Sequence, residues 1–545
     1  MTNPSTQPLA DLLERGMRHH QLGELEQAEG LYTAVLAREP EYAEALHRLG
    51  MLRHRQGEPG EAVELIGRAV ALAPRVGLYH YNLGRAHQAR GDAPAALAAY
   101  REAVALDPNH LQAHARLVAA LLAAGRTEEA IAAGAGAVRR WPASAELLRP
   151  LGDALTLARR FAPAAETFAR LVALRPDDAE ARYGLAVALG ELGRYAEATA
   201  SLGEAIRLRP DFAAAHRAAG VVCFRTGRAG EAAGHFEAAL HLQPDNLSLR
   251  RELADALERS GRRDAAAEHY REILRRATGD RPADANVRAA ASFALAAMGE
   301  ASADNARVAG DALPPPAPPR QYVTSHFDEF AEQFDAILVE KLGYRAPQLL
   351  YEIVTGTSAP APEQRARQAS PLHIIDLGCG TGLCGVLFRP LARSLVGIDL
   401  SPAMLAKARE RNVYDELIED ELVEWLAARP AQFDLAIAAD VLIYLGDLAP
   451  VFNAVARALR PGGRFAVTAE ADDDTSAASS PGYRLRPTRR YAHTESYLRT
   501  TAAQAGLDVI ELRRATLRTE KDRPVSGFIM LMRRKNDPSV VTRSE

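Results

Sequence analysis

The chain is poor in several things. Among its 545 residues are three cysteines, two tryptophans and only 6% aromatic side chains, and its basic and acidic residues nearly balance. Cys223, Cys379 and Cys384 form no CxxC pair and have no histidine at zinc-ligand spacing, so neither a disulfide framework nor a structural metal is expected. No run approaches the ~18 apolar residues a membrane helix needs. The opening MTNPSTQPLADLLERG lacks the basic segment and apolar core of a secretory leader. No membrane association and a cytoplasmic location are therefore expected. With 66 basic against 70 acidic residues, the formal charge of −4 supplies no field that would gather a polyanion, so nucleic acid is not an expected partner. What remains is ordinary globular composition in a chain too long for one core, which points to two or three domains.

The first half repeats itself. Prolines stand at Pro40, Pro74, Pro108, Pro142, Pro176, Pro210 and Pro244, each 34 residues after the last. Twelve positions before each lies a small residue: Ala28, Ala62, Ala96, Ala130, Ala164, Ala198 and Ala232. A further twelve positions back come Gly16, Gly50, Gly84, Gly152 and Gly220, with Val118 and Ala186 as departures. Small residues at these two places let paired helices cross closely, and the proline ends the second helix of each unit. The period and landmarks resemble the tetratricopeptide repeat, in eight units over residues 9 to 278, with Thr278 where the last proline would fall. A stack of this kind needs a terminal cap. Ala285 to Met298, with Asp284 as its N-cap, is the expected one.

The resemblance implies a protein or peptide partner on the concave face; a spacer or a dimerisation element is the alternative. The sixth position of each unit, which carries a peptide-gripping asparagine in some arrays, holds one here, Asn82. His47, His54, Tyr81, Arg85 and Arg149 are candidates for the groove, and solvated side chains are the competing reading.

From Ala301 to Arg320 the composition turns small and polar and ends in LPPPAPPR, a semi-rigid linker. The expected domains are a helical solenoid over 1–300, this linker over 301–320, a second domain over 321–535 and a disordered tail over 536–545.

The second domain carries the chemistry. Phe327, Phe330, Phe334, Ile337 and Leu338 fall at helical spacing. PLHIIDLGCGTGLCG then reads as a buried strand, a turn through Gly378, Gly380 and Gly382, and a helix from about Leu383. Glycines there let a ligand approach the backbone. A second strand closes on Asp399, where a carboxylate can accept hydrogen bonds from a ribose, and Ser401-Pro402 opens the next helix. A nucleoside site follows. Gly380 to Gly385 also satisfies GxGxxG, so a dinucleotide stands as the alternative on this loop alone.

DLGCGTG, GIDLSPAMLAKARER, FDLAIAADVLIYLGDL and LRPGGRFAVTAE, in that order, resemble class I S-adenosylmethionine-dependent methyltransferases. LDVIELRRATLRTE and GFIMLMRR read as the antiparallel pair that ends that fold. YVTSHFDEFAEQFDAILVEKLGYRAP and RRYAHTESYL resemble a bacterial subgroup that couples tetratricopeptide repeats to the domain. The resemblance implies a helical repeat solenoid followed by an α/β, Rossmann-like, doubly wound domain with a mostly parallel seven-stranded sheet. It implies S-adenosylmethionine as cofactor, with Asp376, Gly378, Gly380 and Gly382 at its methionine end, Asp399 at the ribose, Asp420 or Glu421 at the adenine amine, and Leu400 among the cofactor-binding residues. No metal is required.

Open α/β sheets bind ligands at the carboxyl ends of their strands. Asp440 and Tyr444, just past the fourth strand, are therefore the first substrate-facing candidates. Tyr491 and His493, expected on a loop between the fifth strand and the next helix, are the second pair, since a histidine titrates in the useful range. Phe327, Phe330 and Tyr344 are candidates for a lid, and Cys379 and Cys384 for space-filling beside the cofactor. The acceptor, a small molecule or a protein, is not readable. A scaffold with a non-catalytic cofactor-binding domain is the competing function.

Overall fold

The computed structural model describes residues 8–277, 282–299, 317–320, 342–356, 371–473, 482–520 and 523–535, with single or paired positions between 323 and 338. Most of the expected linker, the tail beyond 535, Thr278, Phe330 and Ile337 lie outside the described residues. The chain divides into two compact units, one up to Pro244 and one from Asp245.

The first unit is seven helix pairs, running from α1 (Leu9–Leu22) and α2 (Leu25–Arg38) to α13 (Ala213–Arg225) and α14 (Ala229–Leu242). Its repeat glycines exist because an aromatic or branched side chain sixteen residues on occupies their missing Cβ. A methyl at Gly84 would stand 2.7 Å from the Tyr100 ring, at Gly152 2.7 Å from Phe168, and at Gly220 2.6 Å from Phe236. The two departures keep the volume. Where Val118 replaces the glycine its opposite number is Gly134, and where Ala186 replaces it the opposite residue is Leu202. A further rule runs through the turns. His80, His114 and His216 bond through Nε2 to the carbonyls of Pro74, Pro108 and Pro210 at 2.9, 3.1 and 3.1 Å, and Arg182 Nε donates to Pro176 O at 2.9 Å. Each ties the first helix of a unit to the proline turn before it.

The second unit opens with α15 (Leu247–Arg259) and α16 (Arg263–Arg276), the eighth repeat, followed by α17 (Pro282–Ala297). That helix begins before Asp284, which therefore sits in its first turn and not at the N-cap. The α/β part follows. Strands β1 (Leu372–Leu377), β2 (Ala392–Asp399), β3 (Glu416–Glu419), β4 (Phe433–Ala438) and β5 (Leu459–Ala471) lie parallel in the order β3-β2-β1-β4-β5. Beyond β5, β9 (Arg523–Arg534) runs antiparallel to it and β8 (Leu507–Glu520) antiparallel to β9.

These seven strands are the expected mostly parallel sheet, and a hairpin raises the total to nine. Strand β5 outruns β4, whose last pair is Ala438 with Val467. Against the free end of β5, Glu470 and Ala471 pair with β7 (Tyr491–His493), which is antiparallel to β6 (Tyr483–Leu485). The stretch RRYAHTESYL is thus partly strand where a loop was expected.

Successive strand residues face opposite sides. Ile374, Leu435 and Ile437 pack under α18 (Ala346–Thr355), while Ile375, Leu377 and Ala436 pack with α22 (Ala449–Ala458) and α23 (Glu495–Gln504). The other helices are α19 (Leu383–Phe388), α20 (Pro402–Glu410) and α21 (Leu422–Ala427). Among the described residues no helix is long and apolar enough to cross a membrane.

Candidate active site

The site is built where β1, β2 and β4 end. After Leu377 the backbone turns through Gly378, Gly380 and Gly382 with φ of 61°, 54° and 88°, torsions that side chains resist. A Cβ at Gly378 would also strike Val441 at 2.6 Å. The turn aims the Gly380 amide at Asp399, whose Oδ2 accepts it at 2.8 Å while Oδ1 accepts the Ser401 amide at 2.9 Å. Burial raises the Asp399 pKa, and the Ser401, Gly380 and Leu400 amides oppose that. Ser401 caps α20 through Met404 N at 3.1 Å, as its sequence position suggests.

Asp376, at the end of β1, is 1% exposed. The Tyr414 hydroxyl donates to its Oδ2 at 2.6 Å, yet burial still pushes the carboxyl up to about 7. Such a group is poised to ionise beside a cation.

A cavity of about 500 Å³ opens over these strand ends. Asp376, Gly378, Gly380, Asp399, Leu400, Asp420, Glu421, Asp440 and Tyr444 all line it. Gly382 does not; it shapes the turn and caps α19. Tyr491 and His493 are also absent from the lining and are fully buried, so the second substrate-facing pair is displaced. His493 Nε2 donates to Leu445 O at 2.9 Å, its ring stacks on Tyr497, and burial lowers its pKa to about 4. It holds the turn that follows Tyr444, and Tyr491 packs with Phe293 of α17. Of the lid candidates, Phe327 and Tyr344 are on the cavity wall, where Phe334 joins them, and Phe327 meets Tyr444 edge-on at 5.2 Å. Asp328 Oδ1 accepts the Ser401 hydroxyl at 2.5 Å and Asp335 Oδ1 that of Thr381 at 2.5 Å, tying that segment to the glycine loop and to the start of α20.

Asp440 is less free than its position suggests. Its Oδ2 accepts Arg518 Nη1 at 2.9 Å and its Oδ1 accepts the Thr468 hydroxyl at 3.2 Å. Arg518, buried to 1% at its side chain, also pairs with Glu470 and with Glu520 at 2.7 Å. Burial alone would depress this guanidinium; Asp440, Glu470 and Glu520 more than reverse that and hold its pKa above the ordinary value. Arg490, also on the cavity wall, pairs with Glu520 and interacts with Tyr444, whose hydroxyl burial keeps protonated.

Sequence reasoning missed Arg518, Arg490 and Tyr414. Arg518 hides in an arginine-rich strand, and only an irregularity in the β8–β9 register between Thr516 and Arg518 marks it. Cys379 and Cys384 are buried free thiols on the cavity wall, with burial raising both well above the ordinary range.

In the first unit the expected groove residues are engaged with neighbouring side chains. His47 is 2% exposed, accepts Asn82 Nδ2 at 2.9 Å and stacks on Tyr79, so it and the lone register asparagine are spent on packing. Arg85 lies over the Tyr81 ring and 3.4 Å from His54 Nε2, and Arg149 pairs with Asp178 and Glu180.

The fold is an α/β domain with a mostly parallel sheet behind helical repeats. Comparison with known proteins agrees. Residues 375–465 match the model of a methyltransferase domain, and residues 13–76, 81–145, 150–198, 188–246 and 224–292 match tetratricopeptide-repeat models. The chain therefore carries tetratricopeptide repeats and a methyltransferase domain.

Among curated relatives, malonyl-[acyl-carrier protein] O-methyltransferase of Pectobacterium atrosepticum is 32% identical over 22% of this chain and 47% of its own length. Trans-aconitate 2-methyltransferase of Acidovorax ebreus is 35% identical over 22% and 48%. Methyltransferase GfsG of Streptomyces halstedii is 31% identical over 29% and 59%. The chain thus spans about half the length of the curated relatives it matches.

Proposed function

We propose that the chain is an S-adenosylmethionine-dependent methyltransferase acting in the cytoplasm, whose repeats recruit a protein partner through their concave face. One observation carries the reading: a glycine turn, a buried carboxylate at the end of β1 and a second carboxylate at the end of β2 converge on one cavity. These residues fit the cofactor. The turn leaves room where a Cβ would stand, Asp376 suits an ammonium group, and Asp399, already oriented by two amides, keeps lone pairs for ribose hydroxyls. Glu421 spends its Oε2 capping α21 through the amides of Val423 and Glu424, both at 2.9 Å. Asp420 Oδ1 accepts one amide, that of Glu421 at 2.7 Å, which leaves Asp420 the freer of the two for the adenine amine.

When bound, the cofactor supplies an activated methyl on a sulfonium. The chain's own residues then position the acceptor. Holding nucleophile, methyl and sulfur in line is worth up to roughly 7–11 kcal/mol. Asp440, with both oxygens taken by Arg518 and Thr468, orients the acceptor pocket and does not serve as a free base. Tyr444 stays a phenol and offers a hydrogen bond to the acceptor. Phe327, Phe334 and Tyr344 exclude water from the cavity.

The test is isothermal titration of the full chain with S-adenosylmethionine and S-adenosylhomocysteine. Both should bind the wild type, and D399N should weaken both about 10- to 100-fold, the worth of a hydrogen bond to a charged group. No binding by the wild type, or undiminished binding by the variant, sinks the reading.

A further inference from the structure

The eighth repeat and α17 belong to the same compact unit as the α/β domain. What joins them is specific. In the β6–β7 hairpin, Arg489 adopts φ of 61°, a left-handed conformation that costs a bulky residue of order 1–3 kcal/mol unless its surroundings impose it. Its Nη2 donates to Asp255 Oδ1 at 3.1 Å, to Glu258 and to the Tyr270 hydroxyl at 2.9 Å. Asp255 and Glu258 lie on α15 and Tyr270 on α16. That hydroxyl in turn donates to Asp255 Oδ1 at 2.6 Å. All four side chains are largely buried, so removing one partner of this ion pair leaves an uncompensated charge and is more costly than at the surface. Apolar contact of Leu485 and Tyr491 with Phe293 and Ala297 seats the same hairpin on α17.

The next residue along, Arg490, lines the cavity, pairs with Glu520 and interacts with Tyr444. Glu520 binds Arg518, and Arg518 binds Asp440. The hairpin also grips the turn after Tyr444 directly, through His493 on the carbonyls of Leu445 and Gly446. A Cβ at Gly446 would strike Tyr483 at 2.6 Å and Tyr491 at 2.7 Å. Neighbouring arginines thus serve two masters: one is anchored in the last repeat, the other faces the cavity.

Resting on the proposed reading of that cavity, we infer that Arg489 is a positioning residue: Asp255, Glu258 and Tyr270 hold it so that the hairpin presents Arg490 and the turn after Tyr444 to the acceptor. The last repeat is then a wall of the catalytic unit, and the geometry of the acceptor pocket depends on its docking. The cofactor residues at the ends of β1 and β2 take no part in this chain of contacts.

Amide hydrogen exchange of the full chain, free and with S-adenosylhomocysteine, tests this on R489Q, R489K, the double variant D255N/E258Q and the milder Y270F. In R489Q and the double variant, exchange should accelerate about tenfold or more both in the hairpin, 482–494, and at 439–446, with 372–399 unchanged. The affinity for S-adenosylhomocysteine should change less than about threefold, and R489K should restore the slow exchange. Y270F should give the same pattern at smaller amplitude.

Exchange at 439–446 that stays slow while the hairpin loosens overturns the inference, because the contact is then local packing. R489K behaving like R489Q overturns it too. So does a Y270F without effect when R489Q melts the whole second unit. A wild type that binds no S-adenosylhomocysteine would sink the proposed function, whereas the exchange pattern of the free chain would still decide this coupling.

Discussion

Replacing Asp376 with asparagine should stabilise the second unit above about pH 7 while weakening its binding of S-adenosylmethionine. The carboxyl is 1% exposed and titrates near 7, pushed up by burial, against about 3.9 in an unfolded chain. The sign follows from proton counts. Between those two values the folded state binds more protons, so stability falls as pH rises through this window and is lowest above the folded value. The integrated cost of burying the charge is about 4 kcal/mol at about pH 8 and about 1.5 kcal/mol at about pH 5. Asparagine removes the charge and keeps an oxygen for the Tyr414 hydroxyl, but its buried amide nitrogen costs about 1–3 kcal/mol at either pH. The D376N advantage should therefore be about 1–3 kcal/mol at the higher pH and should shrink by about 2.5 kcal/mol at the lower.

The two tryptophans allow the measurement, since Trp141 lies in the first unit and Trp425 in the core of the second. In a W141F background, Trp425 fluorescence followed through urea unfolding at both pH values reports the second unit. The same variant should bind S-adenosylmethionine at least about tenfold more weakly, having lost the proposed partner of its ammonium. An advantage equal at the two pH values, or a destabilised D376N at the higher one, would refute the burial argument.

R518M should destabilise the second unit by about 3–5 kcal/mol in the same fluorescence assay, because it strands Asp440 without its cation and leaves buried Glu470 only the longer pairs with Arg486 and Arg490. G220A should lower the first-unit stability by about 1–3 kcal/mol, read from Trp141 in a W425F background, and F236L should recover part of that, as the Ala186 and Leu202 pair does naturally. His493, whose folded pKa of about 4 lies below the ordinary value, should show no imidazole titration by NMR down to about pH 5. Its neutral form supports the fold above the unfolded value near 6.5, and that support is lost as pH falls toward 4. A titration of its ring near 6.5 would place His493 in solvent.

The repeats were readable because their constraint is periodic: one close helix crossing, copied every 34 residues, writes glycine, alanine and proline into fixed places. Even the departures obey it once Gly134 and Leu202 are seen opposite Val118 and Ala186. The glycine turn was readable for a similar reason, since backbone torsions at Gly378 and Gly380 and a carboxylate at a strand end leave local marks. Nothing local marks the opposite wall of the cavity. Arg518 reaches Asp440 across 78 positions, and Arg489 reaches Glu258 across 231. The hairpin that displaces Tyr491 and His493 has three-residue strands, too short for alternation to announce. His493 looked like a titrating loop residue because its burial comes from Leu445, Gly446 and Tyr497, all contributed by other segments.

The most direct test of the central claim is methyl transfer itself. The full chain, incubated with isotopically labelled S-adenosylmethionine and a cell extract, should convert it to S-adenosylhomocysteine and leave a product carrying the labelled methyl, detected by mass spectrometry, with D399N strongly reduced in both. Neither species rising above the D399N control, in extract after extract, would contradict the account.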